Sequence, residues 1–210
     1  MFKKLASLAC GIGLAMLASV ALAEDARYTT LDTPVDTHAP AGKIVVQEIF
    51  WYGCPHCYHF EPELEKWAAK QSKDVVVESI PATMNGASMR HATIYYAAKE
   101  LGILDKVHMA VFESVQNGKM LLKDDDVAAL FAEKAGVSKE DTVKALKSFG
   151  VKSQVNSAHA MMLAYRLMGV PAMVVNGQYV ISPDQAGSLE NMLHVADQLI
   201  GEQQTKKATP

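Results

Sequence analysis

Hydrophobic positions fall into blocks of different period along the chain. Leu5 to Val20 is a single apolar run behind Lys3 and Lys4, closed by Ala21-Leu22-Ala23. Basic flank, apolar stretch and small-x-small site in that order describe a secretory signal peptide over 1–23, whose removal leaves a chain beginning at Glu24. Glu24 to Gly42 is polar and turn-rich, with Pro34 and Pro40, and predicts an extended N-terminal segment. Ile44 to Tyr52 is then apolar and aromatic except for Gln47 and Glu48, the pattern of a strand buried on both faces. Gly53 ends it. Pro55 to Gln71 has helical spacing, with Tyr58, Leu64 and Trp67 available for packing and Pro62 expected to kink the helix. Val75 to Ile80 predicts a second core strand.

From Thr83 to Ser157 the period becomes helical, in segments separated by glycines or charged turns. The spacing predicts helices over Ser88–Leu101, Asp105–Asn117, Asp124–Lys134 and Lys139–Ser148. Val127, Leu130 and Phe131 recur behind Asp124-Asp125-Asp126, so that acidic run reads as a solvated helix start rather than a metal site. A further helix is expected from Ser153 to Leu167, ending at Gly169. Ala172–Val175 and Tyr179–Ile181 flank Asn176-Gly177, a strong hairpin signal. A last helix, Asp184–Ile200, follows Ser182-Pro183 and precedes a polar tail. Strands at both ends with helices between them predict an α/β domain, 24–82 with 158–210, interrupted by an inserted all-α subdomain over 83–157. No internal repeat is visible.

Composition narrows the function classes. The 210 residues carry a formal charge of −3, and loss of Lys3 and Lys4 takes it to −5, with no basic patch for nucleic acid. No stretch after the signal is long and apolar enough to span a bilayer. Of the 3 cysteines, Cys10 lies too close to Lys4 to act as a lipoprotein anchor and leaves with the signal. Cys54 and Cys57 remain, exported to a compartment where thiols oxidise. As a structural staple they are poor, because so short a loop is worth about 2 kcal/mol against nearly 5 for a loop of about 100 residues.

Their spacing suits redox chemistry instead. Two residues between cysteines at a helix start let both sulfurs meet over one turn, so the pair can cycle between dithiol and disulfide with little backbone movement. The strand, Gly53 and Pro55 place Cys54 at the helix N-cap as the exposed sulfur, with Pro55 in the first turn, where a missing N–H costs nothing. Unpaired helix N–H groups, the macrodipole and a neighbouring His56 favour its thiolate. Cys57, one turn in, is the buried partner. A stabilised thiolate stabilises the reduced protein, which makes the disulfide an oxidant toward client thiols. Zinc is the rival use of Cys-x-x-Cys, but a closed site needs four ligands, and His38, His91, His108, His159 and His194 are scattered without ligand spacing. His59 reads as a helix-surface residue. No metal and no cofactor beyond the Cys54–Cys57 disulfide is expected.

Phe50-Trp51-Tyr52-Gly53-Cys54-Pro55-His56-Cys57-Tyr58 with Phe60-Glu61, and Gly169-Val170-Pro171-Ala172 far downstream, resembles the DsbA family of bacterial periplasmic dithiol oxidases. Tyr28-Thr29-Thr30-Leu31 and Val151-Lys152-Ser153 extend the likeness over the mature chain. The resemblance implies a thioredoxin fold with an inserted all-α helical subdomain. It also implies a periplasmic monomer that oxidises newly secreted proteins with free cysteines and is reoxidised by a DsbB-like, quinone-linked inner-membrane oxidase. This family is itself a standing example of a depressed cysteine pKa and an oxidising potential, so the direction of electron flow is not independent of the likeness. Read from the residues alone, Pro171 is a strand-start proline; the resemblance implies a cis Val170–Pro171 bond facing the disulfide and docking client backbone.

Glu48 stands six positions before Cys54 in an otherwise apolar strand. A buried carboxylate is costly unless used, which suggests that it accepts or relays the proton of Cys57; a solvent-facing edge glutamate is the alternative. The rival activities are a periplasmic reductase or isomerase, and a peptide-binding chaperone that keeps the motif. The short stretch between Glu24 and the first core strand leaves no space for the dimerisation domain usual in isomerases of this superfamily.

Overall fold

The computed structural model describes residues 27–208; the signal segment 1–23, Cys10 and the start at Glu24 lie outside them. Five strands form one mixed sheet in the order β1-β5-β4-β2-β3, with β1 at Thr29–Thr30, β2 at Ile44–Phe50, β3 at Val75–Pro81, β4 at Ala172–Val175 and β5 at Tyr179–Ile181. All of β2 is buried, as its apolar run predicts. It pairs in parallel with β3 from Ile44↔Val75 to Phe50↔Pro81, and antiparallel with β4 from Val46↔Val175 to Ile49↔Ala172. The parallel pair needs a crossover, and helix α1 (Pro55–Ala68) supplies it. The C-terminal end of β2 therefore feeds directly into the N-terminus of α1.

One face of the sheet is closed by α1 and α8 (Leu189–Ala208), where Ile44, Val46, Met173, Val175 and Ile181 meet Leu64, Trp67, Met192, Val195 and Leu199. The other layer is built from Ile49, Ala172, Val174 and Val180 against α2 (Gly86–Glu100), α3 (Leu104–Gln116), α4 (Asp124–Ala135), α5 (Lys139–Leu146) and α6 (Phe149–Ala164). Strands drawn from both ends of the chain thus share one sheet, with these helices between them in sequence.

Four expectations shift. Val75 to Ile80 is not a core strand: β3 is the sheet edge, mostly half-buried, and its run of valines has a neighbour on one side only. Thr29–Thr30, inside the expected extended segment, adds a short edge strand to β5. Helix α6 starts at Phe149 rather than Ser153, because the Ser148 hydroxyl accepts from the Val151 N–H at 3.0 Å and caps it despite Gly150 in the first turn. It runs unbroken through position 157. The single last helix is in fact two, α7 (Pro183–Ala186) and α8, because Gly187 takes a left-handed conformation with φ 92° and ends the first.

Helix α1 continues through Pro62. The Asn176-Gly177 hairpin forms as expected, with φ of 50° and 65°, and a Cβ at Gly177 would collide with the Val35 carbonyl oxygen. Among the described residues no helix is long and apolar enough to cross a membrane.

Candidate active site

Cys54 is the N-cap of α1, with extended backbone at φ −94° and ψ 114°, and Pro55 opens the helix. Its N–H donates to the Trp51 carbonyl at 2.8 Å, closing the turn that leaves β2, and its carbonyl receives the Tyr58 N–H at 3.1 Å. Neither cysteine is in a disulfide, so the site is in its dithiol form. Cys57 has no exposed surface and Cys54 keeps 8 %. The expectation of an exposed Cys54 is therefore corrected to a largely buried sulfur, covered by the loop before β4. In its thiol form Cys54 donates to the Val170 carbonyl at 3.5 Å, and the Val170–Pro171 bond is cis.

The two thiols are electrostatically opposite. A hydrogen bond from the Cys57 thiol, helped by the backbone N–H groups of Cys57 and His56 and by the His56 imidazole, outweighs burial and lowers the Cys54 pKa to about 6. Burial pushes Cys57 far above the ordinary thiol range, and the neighbouring Cys54 and Glu48 push it further. The strongest influence on the Cys54 thiolate is thus its partner, not the histidine. Cys57→Ala should raise the Cys54 pKa by more than His56→Ala does, which thiolate absorbance against pH measures; the reverse order would contradict this geometry.

Glu48 lies in β2, an interior strand, with no exposed surface, which removes the solvent-facing alternative. Burial, and then the Glu61 carboxyl, raise it well above the usual carboxylate range. Ser79, opposite it across the β2–β3 pair, works against that shift, yet neither Glu48 oxygen has a hydrogen-bond partner of normal geometry among the described residues. The carboxyl group therefore keeps its proton at pH values where an ordinary glutamate has lost it.

Sequence reasoning missed three side chains here. Glu61, one turn beyond Cys57, is buried and meets His108 Nε2 at 3.2 Å, while His108 Nδ1 is 2.7 Å from the Tyr52 hydroxyl. His91 Nδ1 accepts from the Trp51 indole at 2.9 Å. The i, i+4 spacing of Cys57 and Glu61 put both on one helix face, and His108 shares the inward stripe of Val111 and Phe112; those were the available signals. His56 and the Val170–Pro171 pair border a cavity of about 700 Å³ that also takes in Leu167, Met168 and Leu189, with Met168 97 % exposed at its rim. No group of three or more His, Cys, Asp or Glu side chains placed to hold a metal occurs among the described residues.

A family profile described as a DSBA-like thioredoxin domain matches residues 45–194. The chain belongs to this family. DsbA-like relatives named thiol:disulfide interchange protein DsbA include one from Azotobacter vinelandii, 41% identical over 85% of this chain and 83% of its own length. Another, from Burkholderia cepacia, is 36% identical over 97% of this chain and 96% of its own. The crystal structure of Pseudomonas aeruginosa DsbA superposes with a TM-score of 0.82 at 38% identity, covering 87% of this chain and 95% of that one. The fold is therefore the DsbA-like thioredoxin fold, with a mixed sheet and eight helices among the described residues, and the chain is a thiol:disulfide oxidoreductase.

Proposed function

We propose that the chain is a periplasmic dithiol oxidase that donates a Cys54–Cys57 disulfide to newly exported proteins with free cysteines. The observation that carries this reading is the unequal pair, one sulfur ionised near neutral pH and the other buried and protonated. A stabilised Cys54 thiolate makes the reduced pair the lower state, so the disulfide takes electrons readily. A client thiolate attacks Cys54, forming a client–Cys54 bond, and Cys57 leaves as a thiolate that takes up a proton. A second client thiolate then attacks the client sulfur of that bond and expels Cys54 as a thiolate. The client is oxidised by two electrons and the pair reduced by two.

Pro55 and the helix start hold Cys54 in place, the His56 backbone and imidazole beside it favour its thiolate, and Val170 and Pro171 border the cavity in which client backbone would lie against the attacked sulfur. Glu48 relays the proton that Cys57 gains on reduction and gives up on reoxidation, since that sulfur has no exposed surface of its own. The pair needs no cofactor but does need an external electron acceptor, and a DsbB-like, quinone-linked inner-membrane oxidase is that partner in our reading. The chain acts as a monomer exported by its segment 1–23, and nucleic acid plays no part. Equilibrating the mature protein with glutathione buffers and measuring the fraction oxidised tests the role. An oxidising midpoint supports the donor, whereas a thioredoxin-like midpoint turns the assignment to a reductase.

Glu48 also has a stability signature. The folded chain keeps its proton at pH values where the unfolded chain has released it, so the unfolded state binds fewer protons and stability falls as pH rises above the ordinary carboxylate range. Glu48→Gln should flatten that fall in urea unfolding curves measured from pH 4 to pH 8, and should slow turnover. A Gln variant with an unchanged pH trend, redox equilibrium and turnover would remove Glu48 from the mechanism.

A further inference from the structure

The turn Trp51-Tyr52-Gly53 that carries Cys54 is held from outside the sheet at two points. Gln116, the last residue of α3, donates its amide N–H to the Tyr52 carbonyl at 2.8 Å. On α2, His91 is 1 % exposed and uses both ring nitrogens, Nδ1 with the Trp51 indole at 2.9 Å and Nε2 with the Met120 carbonyl at 2.9 Å. An indole N–H can only donate, so Nδ1 is the unprotonated nitrogen and the single ring proton sits on Nε2, donated to Met120. The imidazole and the indole lie within 30° of parallel, with centroids 6.1 Å apart. The indole in turn lies against Gly53, where any Cβ would overlap its six-membered ring. Arg90, the preceding residue of α2, donates to the Leu121 carbonyl at 3.2 Å, so the segment that holds His91 is itself pinned.

We infer that His91 is a positioning residue for the exchange reaction: it fixes the Trp51 indole against Gly53 and thereby the turn that presents Cys54 to the client. Packing alone does not call for a histidine here. A buried imidazole is worth keeping only if both of its nitrogens are satisfied, and the partner of one of them is the side chain whose own carbonyl receives the Cys54 N–H. Without the acceptor at Nδ1 the indole N–H is orphaned, and the ring swings toward water and leaves Gly53 without its wall. A freed glycine peptide next to the reacting sulfur then samples conformations in which Cys54 is misdirected.

The inference rests on Cys54 being the sulfur that exchanges with the client, and the test separates the two. The chain has 2 tryptophans, Trp51 and Trp67, so Trp67→Phe makes Trp51 the sole emitter. In that background His91→Phe is expected to red-shift Trp51 emission, to raise its quenching by acrylamide severalfold, and to slow disulfide exchange with a model peptide by about tenfold. His91→Gln, whose amide oxygen can accept from the indole, should recover most of both losses. Trp51→Phe removes the donor, so adding His91→Phe to it should cost no further rate. Equal losses in the Phe and Gln variants, or additive losses with Trp51→Phe, would reduce His91 to a packing residue. Should His91→Phe fail to fold, the Gln variant and Trp51→Phe still decide through quenching and rate. A parent chain without exchange activity would overturn the functional reading and leave the emission test standing.

Discussion

Cys57→Ala, incubated at pH 8 with a disulfide-bearing peptide, will accumulate a covalent adduct at Cys54, while Cys54→Ala will form none and will lose exchange activity by at least about 10³-fold. The Cys54 thiolate attacks the peptide disulfide and releases one peptide sulfur. In the parent chain the Cys57 sulfur, close enough to hydrogen-bond Cys54, then expels the other. Alanine at 57 removes the only internal sulfur that can do so, because among the described residues there is no third cysteine. Intact mass and non-reducing gels read the adduct directly. Adducts in Cys54→Ala, or none in Cys57→Ala, would reverse the roles of the two sulfurs. A chain that only binds peptide through the cavity would capture none.

The second large effect is a redox difference in stability that depends on pH. In the dithiol form, Cys54 ionises near 6 when folded and near 9.0 when unfolded. Between those values the unfolded state binds more protons, so stability rises with pH through that window and is lost as pH falls through 6. By linkage the gain at pH 7 is up to about 1.4 kcal/mol, reduced where water at the cavity mouth screens the thiolate. The disulfide form has no Cys54 thiol to ionise. Going from pH 5 to pH 7 should therefore raise the melting temperature of the dithiol form relative to the disulfide form by roughly 3 to 5 °C. Cys57 does not interfere, since its raised pKa keeps it protonated throughout. A melting difference that stays flat over this range would mean that Cys54 ionises like an ordinary thiol.

What the sequence made legible is what short-range chemistry determines. The apolar run into Gly53, the proline at the helix start and the two-residue spacing place Cys54 and Cys57 at the helix start, and Asn176-Gly177 locates its turn to the residue. Pairing partners were not legible in the same way. The valines of β3 read as core because a run of apolar residues is silent about whether one neighbour or two will lie beside it. Helix α6 begins four residues before the expected Ser153, because its start is set by the Ser148 cap and not by the apolar spacing. The histidines near the catalytic turn were unreadable for a different reason: His91 and His108 lie far along the chain from Trp51 and Tyr52, and only the packing of α2 and α3 brings them together. Burial of Cys54 was missed on the same ground, since its cover comes from residues more than a hundred positions downstream.

Met168 sits at the cavity rim with 97 % of its surface in water. A side chain so detached from the interior contributes almost nothing to folding, so it can be exchanged for an acidic, basic or bulky one without weakening the molecule that presents it. Under the proposed docking of client backbone along this cavity, preference among clients can be altered at this rim independently of the sulfur chemistry, one codon at a time.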